Sequence, residues 1–126
     1  MSETSRWFVV LGALAMATAV ALGAFGAHAL RDRVEAADLQ IWQTAVLYHL
    51  IHALGLFVIA NVAHLIPESA GPRIAGWAML VGILLFSGSL YVLVLSSTRW
   101  LGAVTPLGGI AFIGAWVTLA LSAWRG

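Results

Sequence analysis

The chain has 126 residues, 62% of them hydrophobic and only 9% charged. A soluble domain carries about a quarter of its residues as charges, so this chain cannot cover a water-facing surface, and an integral membrane protein is the first expectation. A net charge of +1 gives no electrostatic footing for nucleic acid, and the absence of cysteine excludes disulfides, thiolate chemistry and Cys-ligated zinc or iron–sulfur centres.

Crossing the hydrocarbon core takes about 20 apolar residues in a helix. Four stretches meet that length. The expected fold is therefore all-α: one domain built as an antiparallel bundle of four transmembrane helices, near residues 7–30, 41–66, 73–96 and 105–124. The two-residue alternation that a membrane β-barrel needs is missing. The first span runs from Trp7 to about Leu30 without a charge. Arg6 before it and Ala27-His28-Ala29 near its end imitate a signal peptide, but the stretch exceeds the ~7–15 residues of a signal core, so a retained helix is expected. Residues 31–40, RDRVEAADLQ, hold five charges and belong in water or headgroups. Asp38 suits the N-cap of the second helix. Pro67 ends that helix, PESAGP makes a turn, and Pro72 fits the first turn of the third helix, where its missing N–H costs nothing. Thr105-Pro106 reads as an N-cap followed by proline at the first position of the fourth helix. The alternative is a start near Arg99 with a kink at Pro106. Trp7, Trp42, Trp77, Trp100 and Trp124 all fall near span ends, where indoles prefer the membrane interface.

Four spans put both termini on one side, with Arg6, Arg73 and Arg125. The other side holds Arg31, Arg33 and Arg99. With the count tied, the positive-inside rule selects neither orientation. The acidic residues of the first loop tilt the choice toward cytoplasmic termini, although acids count for little, and dual topology stays open.

Lipid tails are as apolar as leucine, so membrane helices associate through close packing of small residues. Ala15, Ala19, Gly23 and Ala27 recur every fourth residue in the first helix, with Gly12 and Gly26 adjacent. Gly82 and Ser87-Gly88-Ser89 lie in the third, and Gly108, Gly109 and Gly114 in the fourth. These predict a tight intramolecular bundle; a small-residue face serving a homo-oligomer is the competing use, and the two can coexist.

Polar groups are few and concentrated. TAVLYHLIHALGL, residues 44–56, sets Tyr48, His49 and His52 in an apolar run, and residues three or four apart share a helix face. His28 closes the first helix. Ser87, Ser89 and Tyr91 lie in the third. Polar side chains at membrane depth face the bundle interior or a water-filled cavity, so His28, Tyr48, His49, His52 and Tyr91 are expected to point inward near one end of the bundle. His64 sits at the water boundary and is read as solvated.

Three uses compete. Imidazoles and hydroxyls can hydrogen-bond across helices and fix register. His28, His49 and His52 are candidate metal or haem ligands, since imidazole is the commonest metal ligand, but their spacing is nonspecific and no carboxylate lies within a span. A polar pocket of His28, Tyr48, His49, His52, Ser87, Ser89, Tyr91 and Thr105 could hold a small molecule, a lipid headgroup or a proton. Ser-His-acid catalysis lacks an orienting carboxylate and a nucleophile elbow, so enzyme chemistry is not expected, and the residues specify no cofactor.

The motifs GAFGAHAL (23–30), W-x-T-A-x-x-Y-H-x-x-H-A-L (42–54), FSGSLY (86–91) and TPLGG (105–109) together resemble the domain-of-unknown-function 423 family, small bacterial inner-membrane proteins similar to eukaryotic transmembrane protein 256. The resemblance spans nearly the whole chain and implies a four-helix membrane protein. It implies no mechanism. It marks Gly26, His28, Tyr48, His49, His52, Ser87, Gly88, Ser89, Tyr91, Pro106 and Gly109. In an up-down-up-down bundle all four motifs map to one membrane side. Gly23, Gly26, Gly88, Gly108 and Gly109 there would let backbones or a ligand approach closely. A helix capped by Thr105 would turn its first N–H groups toward an anionic headgroup. The expected role is binding or transport assistance in that pocket; a metal or haem redox protein and a structural assembly subunit are the alternatives. The lipid bilayer is the one certain partner.

Overall fold

The hydrophobic runs form four helices in a computed structural model that describes residues 1–126. They are α1 (Glu3–Leu30), α2 (Ala36–Leu65), α3 (Gly71–Ser96) and α4 (Arg99–Arg125), each long and apolar enough to cross a membrane. At 1.5 Å per residue every one exceeds the ~30 Å of hydrocarbon it must span. Successive helices run antiparallel. Ser5 meets Ala60 and Leu22 meets Trp42 across α1 and α2; Ala45 meets Ser87 across α2 and α3. Ser89 meets Thr105 across α3 and α4.

Chain ends and turns follow local chemistry. α1 starts four residues before Trp7 because the Ser2 side chain accepts the Ser5 N–H at 3.1 Å and Glu3 complements the helix dipole. α2 starts at Ala36, and its cap position, Glu35, makes no side-chain bond. Asp38 is thus not the N-cap. It lies in the first turn, where both carboxylate oxygens accept from Arg99 at 2.9 and 3.0 Å. That bidentate pair ties the start of α2 to the start of α4. Pro67 follows the end of α2 as expected, and Pro72 sits in the first turn of α3. Ser97, at φ 57°, breaks α3 in the left-handed region.

Residues Arg99–Ala103 form a 3₁₀ turn that leads into the α-helical part of α4, Thr105–Arg125. Pro106 therefore lies in a first turn rather than at a kink. Thr105 does not cap: the preceding residue is already helical, and Leu107 N–H donates to Val104 carbonyl at 3.0 Å. With that turn continuous, no N–H cradle for an anion opens at Thr105.

α1 and α3 each contain a π-helical segment, Gly26–Leu30 and Ile83–Gly88. A π segment widens the helix by one residue per turn, so it re-aims the residues beyond it. Both segments coincide with predicted motifs.

Packing is uneven. α2 buries 44% of its apolar stretch and α1 only 17%, so α2 and α3 are the inner helices and α1 and α4 the outer ones. α1 lies along α2, and α4 along α3. Small residues set these contacts. Gly12 lies against Leu56 and Ala53, Gly26 against Trp42, Gly76 against Phe8, Gly82 against Phe112, and Gly108 against the Phe86 backbone. Two apolar clusters result. Phe8, Leu56, Ile59, Met79, Phe112 and Leu119 fill the end nearer the termini. Leu30, Trp42, Ala45, Tyr91, Leu93 and Val94 fill the end nearer the first and third connections.

Trp42 is a correction. It is fully buried, not interfacial, and its indole N–H donates to the Leu22 carbonyl at 2.9 Å. A glycine at 26 makes this feasible, since a Cβ there would lie 2.6 Å from the indole. Trp7, Trp77, Trp100 and Trp124 are exposed near span ends, as expected of interfacial indoles.

Candidate functional site

Between the two apolar clusters lies a polar layer. His49 and His52 are buried on α2, one turn apart, as the i, i+3 spacing dictates. His49 Nδ1 lies 2.9 Å from the Tyr91 hydroxyl of α3. One imidazole thus joins α2 to α3. Ser87, wholly buried, donates to the Ala45 carbonyl at 2.7 Å, a second strut from α3 to α2. Ser89 donates to the Phe86 carbonyl at 2.9 Å. With its proton committed there, Ser89 accepts from Thr105 Oγ1 at 2.6 Å, which fastens α4.

His52 behaves differently. Its Nδ1 is 2.7 Å from the Tyr48 carbonyl one turn back. A carbonyl only accepts, so Nδ1 carries the proton. The ring stacks flat on Phe112 at 3.5 Å between centroids, with Trp116 at 5.9 Å. Tyr48 stacks on Phe86 at 4.4 Å. An aromatic layer from α2, α3 and α4 therefore surrounds His52 and closes the space beside it.

The structure joins His49, His52, Ser87, Ser89, Tyr91 and Thr105 in one layer, sets Tyr48 at its edge and leaves His28 outside. His28 is exposed on the π segment of α1. Tyr48 is 38% exposed, its ring on the flank of the bundle. The inward expectation fails for His28, which falls on the outer face once Gly26 takes the inner one, and holds only in part for Tyr48, whose ring stacks on Phe86 and His52 while one side stays exposed. The proposed ligand trio His28, His49 and His52 does not converge, and no three His, Asp or Glu side chains gather anywhere in the chain. Among the glycines, Gly26 and Gly108 permit close approach and Gly23 touches Val46. Gly88 has only a distant neighbour, and Gly109 faces open space.

No buried side-chain nitrogen or oxygen lacks a hydrogen-bond partner. The larger grooves open elsewhere. The biggest, about 730 Å³, lies at the opposite end, between the 67–70 turn and the last turns of α4. Sequence reasoning missed Ser5, buried and donating to the Ala60 carbonyl at 2.8 Å, and the Phe86–Phe112–Trp116 wall. The paired glycines facing those aromatics, Gly108 and Gly82, were the available signal.

The family model described as a protein of unknown function, DUF423, matches residues 22–109. That range starts just before the π turn of α1 and ends in the first turns of the α-helical part of α4. The chain is 49% identical over 116 residues to the UPF0382 membrane protein YwdK of Bacillus subtilis, covering 92% of this chain and 94% of that one. It is 41% identical over 120 residues to a UPF0382 membrane protein of Staphylococcus haemolyticus, covering 95% and 97%. A third relative, from Staphylococcus epidermidis, is 44% identical over 115 residues, covering 91% and 93%. No solved structure matches the chain.

Proposed function

The chain belongs to the DUF423 family, whose members are named as membrane proteins without an activity, and on that premise we propose that it is a non-enzymatic structural subunit of a bacterial inner-membrane assembly. The observation that carries this reading is the completeness of the polar layer. Every buried polar side-chain atom is bonded within the chain, and the layer's histidines are walled by Tyr91, Phe112 and Trp116 instead of lining a cavity. A transport path needs polar groups left facing water. A metal centre needs convergent ligands with open valences. A fastener needs neither. Interhelical hydrogen bonds in membranes are worth about 0.6 kcal/mol on average and ~1.7 at most. Several together fix the register of four helices, leaving α1 and α4 free to present their outer faces to other proteins in the bilayer.

The test is mild solubilisation of bacterial membranes after in-cell crosslinking, followed by purification of tagged protein and mass measurement of the native complex. A stoichiometric complex with other chains supports the reading. A monomer that carries a Soret band or equimolar metal, lost in His49→Ala/His52→Ala, transfers the layer to redox chemistry. Substrate flux in proteoliposomes made from the monomer transfers it to transport.

A further inference from the structure

The groove at the termini end has features of a ligand site that the polar layer lacks. Its volume of about 730 Å³ lies within the roughly 300–1,000 Å³ of ligand sites. It is open, and it sits where the 67–70 turn and the end of α4 leave the apolar spans, at the depth of lipid headgroups. Leu65, Ile74 and Leu121 line its apolar side. Glu68 and Arg125 are the charged side chains that line it, one anion and one cation, and Gly126 borders it beside Arg125. Neither is paired: the single ion pair of the chain is Arg99 with Asp38. Two opposite charges that share a groove without meeting leave room for a molecule carrying the complementary pair.

We infer that this groove binds a zwitterionic aminophospholipid, with its phosphate at Arg125, its primary ammonium at Glu68 and its glycerol and upper acyl carbons along Leu65, Ile74 and Leu121. Guanidinium matches phosphate oxygens as a fork of N–H donors. A carboxylate accepts hydrogen bonds, which an ammonium of three N–H donors supplies. A quaternary ammonium has no such donor and is recognised by aromatic cages, and no aromatic side chain lines this groove. The chemistry therefore selects ethanolamine over choline headgroups. An anionic lipid without the ammonium would satisfy Arg125 and leave Glu68 facing its phosphate. Glu68 also borders a smaller groove of about 260 Å³ that contains Arg73, so Arg73 is the internal control for which cation takes the phosphate.

The experiment is native mass spectrometry of the purified full-length chain in detergent, incubated with equimolar phosphatidylethanolamine, phosphatidylcholine and phosphatidylglycerol of matched acyl chains. The wild type is expected to retain phosphatidylethanolamine about fivefold over phosphatidylcholine, the scale of one favourable exposed ion pair. Glu68→Gln is expected to equalise the two. Arg125→Gln is expected to lower retention of all three, and Arg73→Gln to match the wild type. Thermal unfolding of each variant in the same detergent checks the fold, and the wild-type ratio needs no variant. Equal retention of ethanolamine and choline lipids by the wild type overturns the proposal. So does a preference that survives both Glu68→Gln and Arg125→Gln, or one that vanishes in Arg73→Gln.

Discussion

His49 has an interhelical hydroxyl partner in Tyr91, so its loss is felt across α2 and α3. Removing the Tyr91 hydroxyl leaves a buried imidazole nitrogen unpaired, and Tyr91→Phe should cost about 0.6–1.7 kcal/mol. The effect should vanish when His49 is already alanine, because the two groups act as one contact. A double-mutant cycle by reversible unfolding in mixed micelles measures that coupling; strictly additive effects would show that the 2.9 Å contact stabilises nothing. Glycines separate by the same logic. A methyl at Gly26 meets the Trp42 indole at 2.6 Å, and at Gly109 and Gly114 it meets nothing within 4 Å. Gly26→Ala should therefore cost about 1–3 kcal/mol by overpacking. Gly109→Ala and Gly114→Ala should be neutral or stabilise by up to about 0.5–1 kcal/mol, the helical preference of alanine. Equal losses at all three positions would refute the packing role assigned to Gly26. Of the groups that sequence pattern expected to point inward, His49, His52 and Tyr91 are buried, because period and polarity at membrane depth are strong constraints. The same pattern misplaced Trp42, since a general preference of indoles for the interface outweighed one local vacancy, the missing side chain at Gly26.

The four spans were legible because each apolar run is long enough to cross and is interrupted by charge or proline. Their internal irregularities were not. A segment that is apolar all round has no stripe whose drift would betray a π turn, and nothing in ILLFSG marks it as wider than a regular helix. The consequence is testable. The Ile83–Gly88 segment carries one residue more than an α-turn needs, and Leu84 within it is exposed. Deleting Leu84 should convert the segment to regular α-helix while keeping the faces on either side. Ser87, Ser89 and Tyr91 would stay turned toward Ala45, Thr105 and His49. Deleting Val81, in the regular part of α3, should instead rotate the preceding part of the helix by about 100° relative to the following part, pulling Ala75 and Met79 from the core. Circular dichroism and thermal unfolding in detergent should show the Leu84 deletion close to wild type and the Val81 deletion strongly destabilised. Equal damage from both would mean that the π segment is needed as it stands. Thr105 teaches a related lesson. Ser/Thr-Pro at a helix start usually means a cap, but here the preceding 3₁₀ turn already supplies helical geometry, so the hydroxyl is free to fasten α4 to Ser89.

At the scale of the whole molecule, the distribution of basic residues bears on how the chain stands in the bilayer. Both termini lie beside the 67–70 turn: Gly126 packs near Ile66, and Ser2 and Pro67 share a groove. That end carries Arg6, Arg73 and Arg125, and the opposite end Arg31, Arg33 and Arg99. Three against three is a balance that a small perturbation should tip. Asp32 and Glu35 are exposed in the first connection and make no ion pair, so replacing them leaves the packed layers untouched. Asp32→Lys/Glu35→Lys raises the basic count at that end from three to five. The doubly substituted chain should insert with the first connection in the cytoplasm and the termini outside. A fluorescent-protein fusion after Arg125 should then be dark in cells, and a phosphatase fusion at the same point should be active. A bright fluorescent fusion with an inactive phosphatase fusion would mean that orientation is set by features other than basic residues. Because the fastened interior is indifferent to which side faces the cytoplasm, the fold itself should survive the inversion. The inverted protein should unfold in detergent at the wild-type temperature, and a lower one would reveal that the first connection contributes to stability through more than its charge.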